Sequence, residues 1–362
     1  MAKVRIETKV PVVKTFKDLF AERIEKYNHN HDPATGRFTS GPSMSANGKG
    51  GGGGGKGGNL FETDVTDALE EMTRPKSQGG KNLHFSLEGH ITSDGKLTPE
   101  REAEHVKIIN KLLEGKTADP SGQGTLRMMG GGAASGKRSA LNSGLIPKFD
   151  ESHHVTVDPD KIKEMLPGYD ELAKKSTDAA GIYHEESSAL AKRLYKVALD
   201  RGINVTYDGT GNNSPGSVLK KVDQAREKGY KVEAVYMTLS IPEAQRRNQA
   251  RYDHAVEKFE SGKSDRPPRR PDPAVVEKIH RSVSDVAIEV APKFDSIRLY
   301  DNEVPQGSKP RLVAKGGNGK GLRAVAGKGK KELFQSFCDK GYKGHKVGSD
   351  GRIIPATPKN KK

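Results

Sequence analysis

From Leu126 onward, short apolar runs alternate with stretches whose apolar residues recur at helical spacing. The runs Leu126 to Met129, Val155 to Val157, Val205 to Tyr207, Val232 to Leu239 and Ile297 to Tyr300 predict strands. Between them, Asp160 to Leu166, Glu185 to Leu199, Val218 to Lys228, Pro242 to Phe259 and Ala274 to Val290 predict helices. This alternation implies an α/β fold, with a mainly parallel five-stranded sheet covered by helices on both faces. Right-handed crossovers would gather the carboxyl ends of the strands at one edge, so functional residues are sought just after each strand.

Around that core, residues 122–302, the pattern changes. Residues 1–40 form an arm, with Val4, Ile6, Val10 and Val12 alternating and Phe16, Leu19, Phe20 and Ile24 at helical spacing. Within it, Asn28 to Ser40 resembles a short segment of phage virion and head-assembly proteins; His29 and His31 lack further ligands at metal spacing and read as a solvated turn. Residues 41–58 are almost pure Gly, Ser and Lys and read as a linker. A helical lead-in spans 59–121: one helix over Phe61 to Met72, then a longer one capped by Thr98 with Pro99 at its first position. In that second helix Val106, Ile109, Leu112 and Leu113 share a face and His105 lies at its edge, read as packing or surface. Residues 303–362 read as a low-complexity basic tail, with a Gly/Lys linker over Gly316 to Lys331 and a short helix carrying Leu333, Phe334 and Phe337.

Composition supports one mid-sized domain with polar appendages. The 362 residues include 42 Gly and 20 Pro, and 30% are charged; mean hydropathy is −0.76. A net charge of +15 favours contact with phosphates, and Lys315 to Lys362 concentrates it, with thirteen Lys/Arg against three acids. Such basic ends suit sequence-blind contact with nucleic acid, although no base-reading module accompanies them. Cys338 stands alone, so no intramolecular disulfide forms and a reducing compartment is expected. No apolar run approaches the roughly 20 residues of a membrane span. The expectation is a cytoplasmic protein of a host cell, or one associated with a virion, without membrane contact.

The stretch from Met129 to Ser139 carries the strongest chemical signal. Gly131, Gly136 and Lys137 satisfy the pattern of glycine, four residues, then Gly-Lys, placed between a strand and a helix. Small residues at Gly131, Gly132, Ala133, Ala134 and Ser135 let backbone N–H groups curl around a phosphate, while Lys137 reaches the terminal phosphates. The site expected is therefore a loop for a nucleoside triphosphate, whose metal is Mg²⁺. The next residue is normally a Ser or Thr that ligates the metal, and here it is Arg138. Ser139 is the nearest hydroxyl, about 100° further round a helix of roughly 3.6 residues per turn.

Carboxylates follow two other strands. Asp158 and Asp160 come after Val157, and Asp208-Gly209-Thr210-Gly211 comes after Tyr207. Beside a phosphate loop these groups can hold Mg²⁺ or accept a substrate hydroxyl's proton, yet Asp158 suits a helix cap equally well and Asp160 a first-turn position. Arg246, Arg247 and Arg251 on a helix, and Arg266, Arg269 and Arg270 in the loop beyond it, can either neutralise charge on a transferring phosphoryl group or form a solvated face.

In this order the motifs resemble the zeta toxin family of P-loop kinases, from Gly130 to Asn302. The resemblance rests on Gly131 to Lys137, on Val-Asp158-Pro-Asp160-Lys-Ile-Lys with Leu-Pro167-Gly-Tyr169-Asp170-Glu171-Leu172, on Asn204-Val205 leading to Asp208-Gly209-Thr210-Gly211, on Arg251-Tyr252, on Arg270 before Pro273, and on Ile297-Arg298-Leu299-Tyr300. It implies an ATP- or GTP-dependent phosphotransferase whose acceptor, in toxin members, is the sugar 3′-hydroxyl of UDP-N-acetylglucosamine. Carried over, Lys137 would hold the β and γ phosphates, Asp160 would act as base, Arg251 and Arg270 would clamp the phosphate, and Asp208 would lie on the metal and substrate side. The chain departs at Arg138, at Asp208 in place of a glutamate, and at Lys192 in place of an acid that contacts the sugar nucleotide. Glu185 and Glu186 either supply that acid or answer the helix dipole. The alternative to a kinase is a non-catalytic virion or assembly protein that keeps the nucleotide fold.

Overall fold

A computed structural model describes residues 85–87, 89–92, 96–211, 214–305 and 307–354. The expected arm, the first linker and the helix over Phe61 to Met72 lie outside these residues. Five parallel strands appear where the apolar runs predict them: β1 (Thr125–Gly130), β2 (His154–Val157), β3 (Asn204–Asp208), β4 (Lys231–Thr238) and β5 (Ser296–Asp301). Their order is β2-β3-β1-β4-β5, so β1 lies between strands reached in opposite directions, and a crevice opens beyond its carboxyl end.

Two more strands extend the sheet. β6 (Arg311–Gly317) pairs antiparallel with β5, and β7 (Lys320–Ala324) pairs antiparallel with β6, making seven strands in all. This corrects the reading of Gly316 to Lys331 as a linker and of the C-terminal segment as low-complexity. The glycines serve close packing: a Cβ on Gly317 would come within 2.7 Å of the Asp295 carbonyl, and one on Gly316 within 2.8 Å of the Gly321 carbonyl. The helix predicted after them runs from Lys330 to Lys340 and buries Phe334, Phe337 and Cys338.

The main core lies between the sheet and the helices α1 (Pro99–Leu112), α2 (His184–Asp200), α3 (Pro215–Glu227) and α4 (Pro273–Val290). Thr98 caps α1, accepting from the Arg101 amide, and Pro99 opens it, as read. The apolar stripe of α1 is Ile108, Ile109 and Leu113, while its other inward face is polar and ionic. Glu186 of α2, 0% exposed, accepts from Arg101 Nε at 2.7 Å and Nη2 at 2.9 Å, with His105 Nε2 2.8 Å away. Arg193 of α2 adds a pair to Glu102, Nη1 to Oε2 at 2.9 Å. The lead-in helix is thus held to the core by buried charge.

Candidate active site

After β1 the chain turns through Gly131 to Gly136 and enters a short helix, Lys137–Asn142. Gly131 has φ +139° and Gly136 φ +89°, backbone that favours glycine. Both are also hemmed in: a Cβ on Gly131 would meet Ser135 Oγ at 2.5 Å and the Met237 carbonyl at 2.6 Å, and one on Gly136 would overlap Asn302 Nδ2. Three contacts from distant elements fix the loop. Asn302 Nδ2 donates to the Ser135 carbonyl at 3.0 Å, the Gly131 amide donates to the Thr210 carbonyl at 2.8 Å, and His280 Nε2 lies 2.9 Å from the Ala133 carbonyl.

Burial holds His280 near a pKa of about 4, so the ring is neutral at pH 7 with Nε2 as donor to that carbonyl. Neither His280 nor Asn302 was identified from sequence, because they lie about 150 residues from the loop. Asn302 had one available signal, its place immediately after β5.

Lys137 turns back under the loop, its Nζ donating to the Gly131 carbonyl at 2.8 Å. Burial lowers its pKa, opposed by the charges of Asp208, Asp160 and Asp158, and Arg251 adds to the lowering. Four of the sequence-predicted charges, from the ends of β2 and β3 and from the helix Ile241–Glu260, therefore act on one ammonium. Asp208 is raised by burial and by Asp158 and Asp160, with Lys137 and Arg138 opposing. Its Oδ1 is buried and has no hydrogen-bond partner among the described residues, and the same holds for Ser135 Oγ inside the loop. These orphaned atoms fit a phosphate and metal site.

Asp160 opens into the crevice with its side chain 85% exposed. Burial by surrounding atoms pushes its pKa up, but the hydrogen bond from Lys163 at 2.9 Å, with the charges of Lys163, His184 and Lys137, brings it below the ordinary carboxylate value. Asp160 is thus an ionised, accessible acceptor held by a lysine that is itself buried.

Other predicted residues are engaged within the protein or face solvent. Asp158 is the cap of the helix Pro159–Met165, accepting from the Asp160 amide at 2.9 Å, and Arg138 Nη2 lies 3.8 Å from its Oδ2. Glu186, a candidate for the substrate acid, has both oxygens engaged by Arg101 and His105 in the interior. Glu185 is half-buried beside it, Lys192 is exposed, and Ser139 faces solvent. Arg270 is exposed and lines a groove with Gln245, Asn248, Gln249 and Val276. Among the described residues no three His, Cys, Asp or Glu side chains gather into a metal cage, and no helix is long and apolar enough to cross a membrane. Mg²⁺ held by one or two carboxylates and by phosphates needs no such cage.

Solved structures similar to the chain include that of the PezAT chromosomal toxin–antitoxin system of Streptococcus pneumoniae, at 16% identity and TM-score 0.43 over 57% of this chain and 79% of that one. AvrRxo1-ORF1:AvrRxo1-ORF2 with sulphate ions is similar at 20% identity and TM-score 0.47, over 68% and 74%; the same pair with ATP gives 19% and 0.45, over 68% and 74%. No curated protein matches the chain. The family model for zeta toxin matches residues 109–305, which contain the loop, the strand-end carboxylates and Arg251. The chain belongs to the zeta toxin family, P-loop proteins that are ATP-dependent, kinase-like toxins.

Proposed function

We propose that this chain is a phosphotransferase that moves the γ-phosphoryl group of ATP or GTP to a hydroxyl of a small acceptor. The observation that carries this reading is the glycine loop after β1, where Lys137 Nζ turns back to the Gly131 carbonyl at 2.8 Å and the buried Ser135 Oγ and Asp208 Oδ1 are without hydrogen-bond partners among the described residues. In this reading Lys137 binds the β and γ phosphates and Asp160 takes the proton of the acceptor hydroxyl. The acceptor oxygen bonds to phosphorus as the bond from phosphorus to the β–γ bridging oxygen breaks, and a nucleoside diphosphate leaves. Arg251 and Arg270 meet the charge on the transferring group.

Mg²⁺ would be held through Asp208, whose buried Oδ1 lacks a partner among the described residues, in preference to the solvent-facing Ser139, and would neutralise charge on the phosphate oxygens. A nucleotide sugar such as UDP-N-acetylglucosamine is the first acceptor to test, with Glu185, Asp158 and Thr210 as its proposed contacts. Glu186, locked to Arg101 and His105, is left out of this set. A phage-encoded toxin, held in check by a partner protein as the name of the PezAT system indicates for that relative, is the biological form of the same proposal.

One observation favours a second reading, a nucleotide-binding assembly protein without turnover: Arg138 replaces the metal-binding hydroxyl and leans toward Asp158 at 3.8 Å. Incubation with γ-labelled ATP and Mg²⁺ against nucleotide sugars, nucleosides and nucleic acids separates the two. Label should pass to one acceptor and vanish in Lys137→Ala. Bound nucleotide with no labelled product on the whole panel would sink the kinase reading.

A further inference from the structure

Beyond the family match, the added strands create a surface that the phosphotransferase reading does not use. Across the sheet, Arg298 of β5 is paired with Lys315 of β6, Lys315 with Arg323 of β7, and Arg323 with Arg352 through an isolated antiparallel bridge. Directly paired residues point to the same face. Leu299, Ala314 and Leu322 turn to the other face, into the core beneath the helices. The four cations therefore stand in a row at strand spacing, roughly 15 Å from end to end.

On this face the covering layer stops short. Ala140 and Ile146 pack over Met129, Val235, Met237 and Tyr300, but Lys315, Arg323 and Arg352 are exposed and Arg298 is 28% exposed. Like charges directly opposite one another destabilise a sheet. Among the described residues, carboxylates answer only the ends of the row. Glu233 lies 3.7 Å from Arg298 but already accepts from Arg127 at 2.6 Å, and Asp350 lies 3.3 Å from Arg352. Arg323 Nε donates to the Asp350 carbonyl at 2.9 Å, which orients the guanidinium without neutralising it.

We propose that this face binds the sugar-phosphate backbone of nucleic acid. A straight row of four cations presents regularly spaced positive charge to a regularly spaced polyanion, and it carries no aromatic ring on which an unpaired base could stack. The contact is therefore sequence-blind. It lies on the sheet face at β5 to β7, away from Asp160 and Asp208, so nucleotide and nucleic acid can be held together.

The test uses the full chain and labelled duplex DNA of mixed sequence, with an RNA duplex of the same sequence and polyglutamate as further arms. Binding followed by anisotropy should weaken with salt, and Lys315→Ala with Arg323→Ala should make the log–log slope shallower by about 1.8, at about 0.9 for each lost phosphate contact. The double variant should keep the wild-type melting temperature, and Lys315→Arg with Arg323→Lys should keep the binding. DNA and RNA binding equally, or one alone, identifies the source of the phosphates and supports the proposal in either case. Failure of the wild type to bind either duplex at low salt would overturn it. So would binding unchanged in the double variant, which would assign the contact to cations outside the row, and so would polyglutamate competing as well as nucleic acid, which would point to an acidic protein.

Discussion

Replacing Glu186 by glutamine tests whether the acid beside α2 belongs to the interior or to the substrate. Glutamine keeps the volume and removes the charge, leaving the Arg101 guanidinium, 5% exposed, and His105, 4% exposed, without a counter-charge. Breaking a buried ion pair by removing one partner costs about 3–5 kcal/mol. Against a total of about 5–15 kcal/mol for a domain this is a large share. For a chain of this size about 2–4 °C is lost per kcal/mol, so the melting temperature should fall by roughly 6–20 °C. Thermal unfolding at pH 7 by circular dichroism reads it directly. Acid gives an independent check. Burial pushes the Glu186 pKa up, but the hydrogen bonds from His105 and Arg101 bring it below the ordinary glutamate value. The stabilisation is therefore complete above the unfolded pKa and is lost as pH falls through the lower, folded one. Wild type should lose stability in that acid window more steeply than Glu186→Gln. A variant that melts within about 2 °C of wild type, and instead raises the KM for the acceptor, would refute the assignment and return Glu186 to the substrate site.

Asp160→Asn should cut transfer by about 10²–10⁴-fold while leaving ATP affinity nearly unchanged, measured by initial rates and by equilibrium binding. Because Lys163 holds the Asp160 pKa low, the wild-type rate should stay flat on acidification until the pH falls below the ordinary aspartate value. Gly136→Ala should abolish nucleotide binding, since the new methyl needs a left-handed backbone at about 1–2 kcal/mol and overlaps Asn302 Nδ2, which holds the loop at the Ser135 carbonyl; calorimetric titration with ATP reads this. Lys340 donates to the Leu239 carbonyl at 2.7 Å and is pushed down by burial to a pKa of about 8. The unfolded chain then binds the extra proton between that value and the ordinary lysine value, so stability should rise with pH across this window, and denaturant titrations of Lys340→Met should show the rise gone.

The parallel core was legible because its strands are buried on both sides and so read as unbroken apolar runs: β4 is buried from Val232 to Thr238. The strand-end rule then located Asp158, Asp160 and Asp208, and the glycine pattern located Lys137, so the chemically distinctive half of the site could be read locally. What could not be read is what holds those groups in place. His280 acts on the Ala133 carbonyl, and Asn302 on that of Ser135, through contacts set only by the tertiary fold. Glu186 shows the same gap in reverse: two acids in a first helical turn look alike in sequence, and only the approach of α1 with Arg101 and His105 makes one of them interior.

The C-terminal strands were hidden for a different reason. In β6 and β7 only Val313, Ala314 and Leu322 are buried apolar residues, and the positions between them hold arginine, lysine and glycine, the composition of a flexible basic segment. Composition alone cannot separate glycine that loosens a chain from glycine that admits a neighbouring backbone. Gly316 and Gly317 are of the second kind, each closed in by a carbonyl less than a methyl's width away. The row follows from this arrangement: with Ala314 and Leu322 committed to the core, Lys315 and Arg323 fall on the other face, and their pairing with each other and with Arg298 turns scattered charge into a row. The basic character read as a property of a tail is thus a property of a sheet face, and its ligand should be sought with the folded protein, since a peptide of the same sequence lacks the β5 edge on which the row is built.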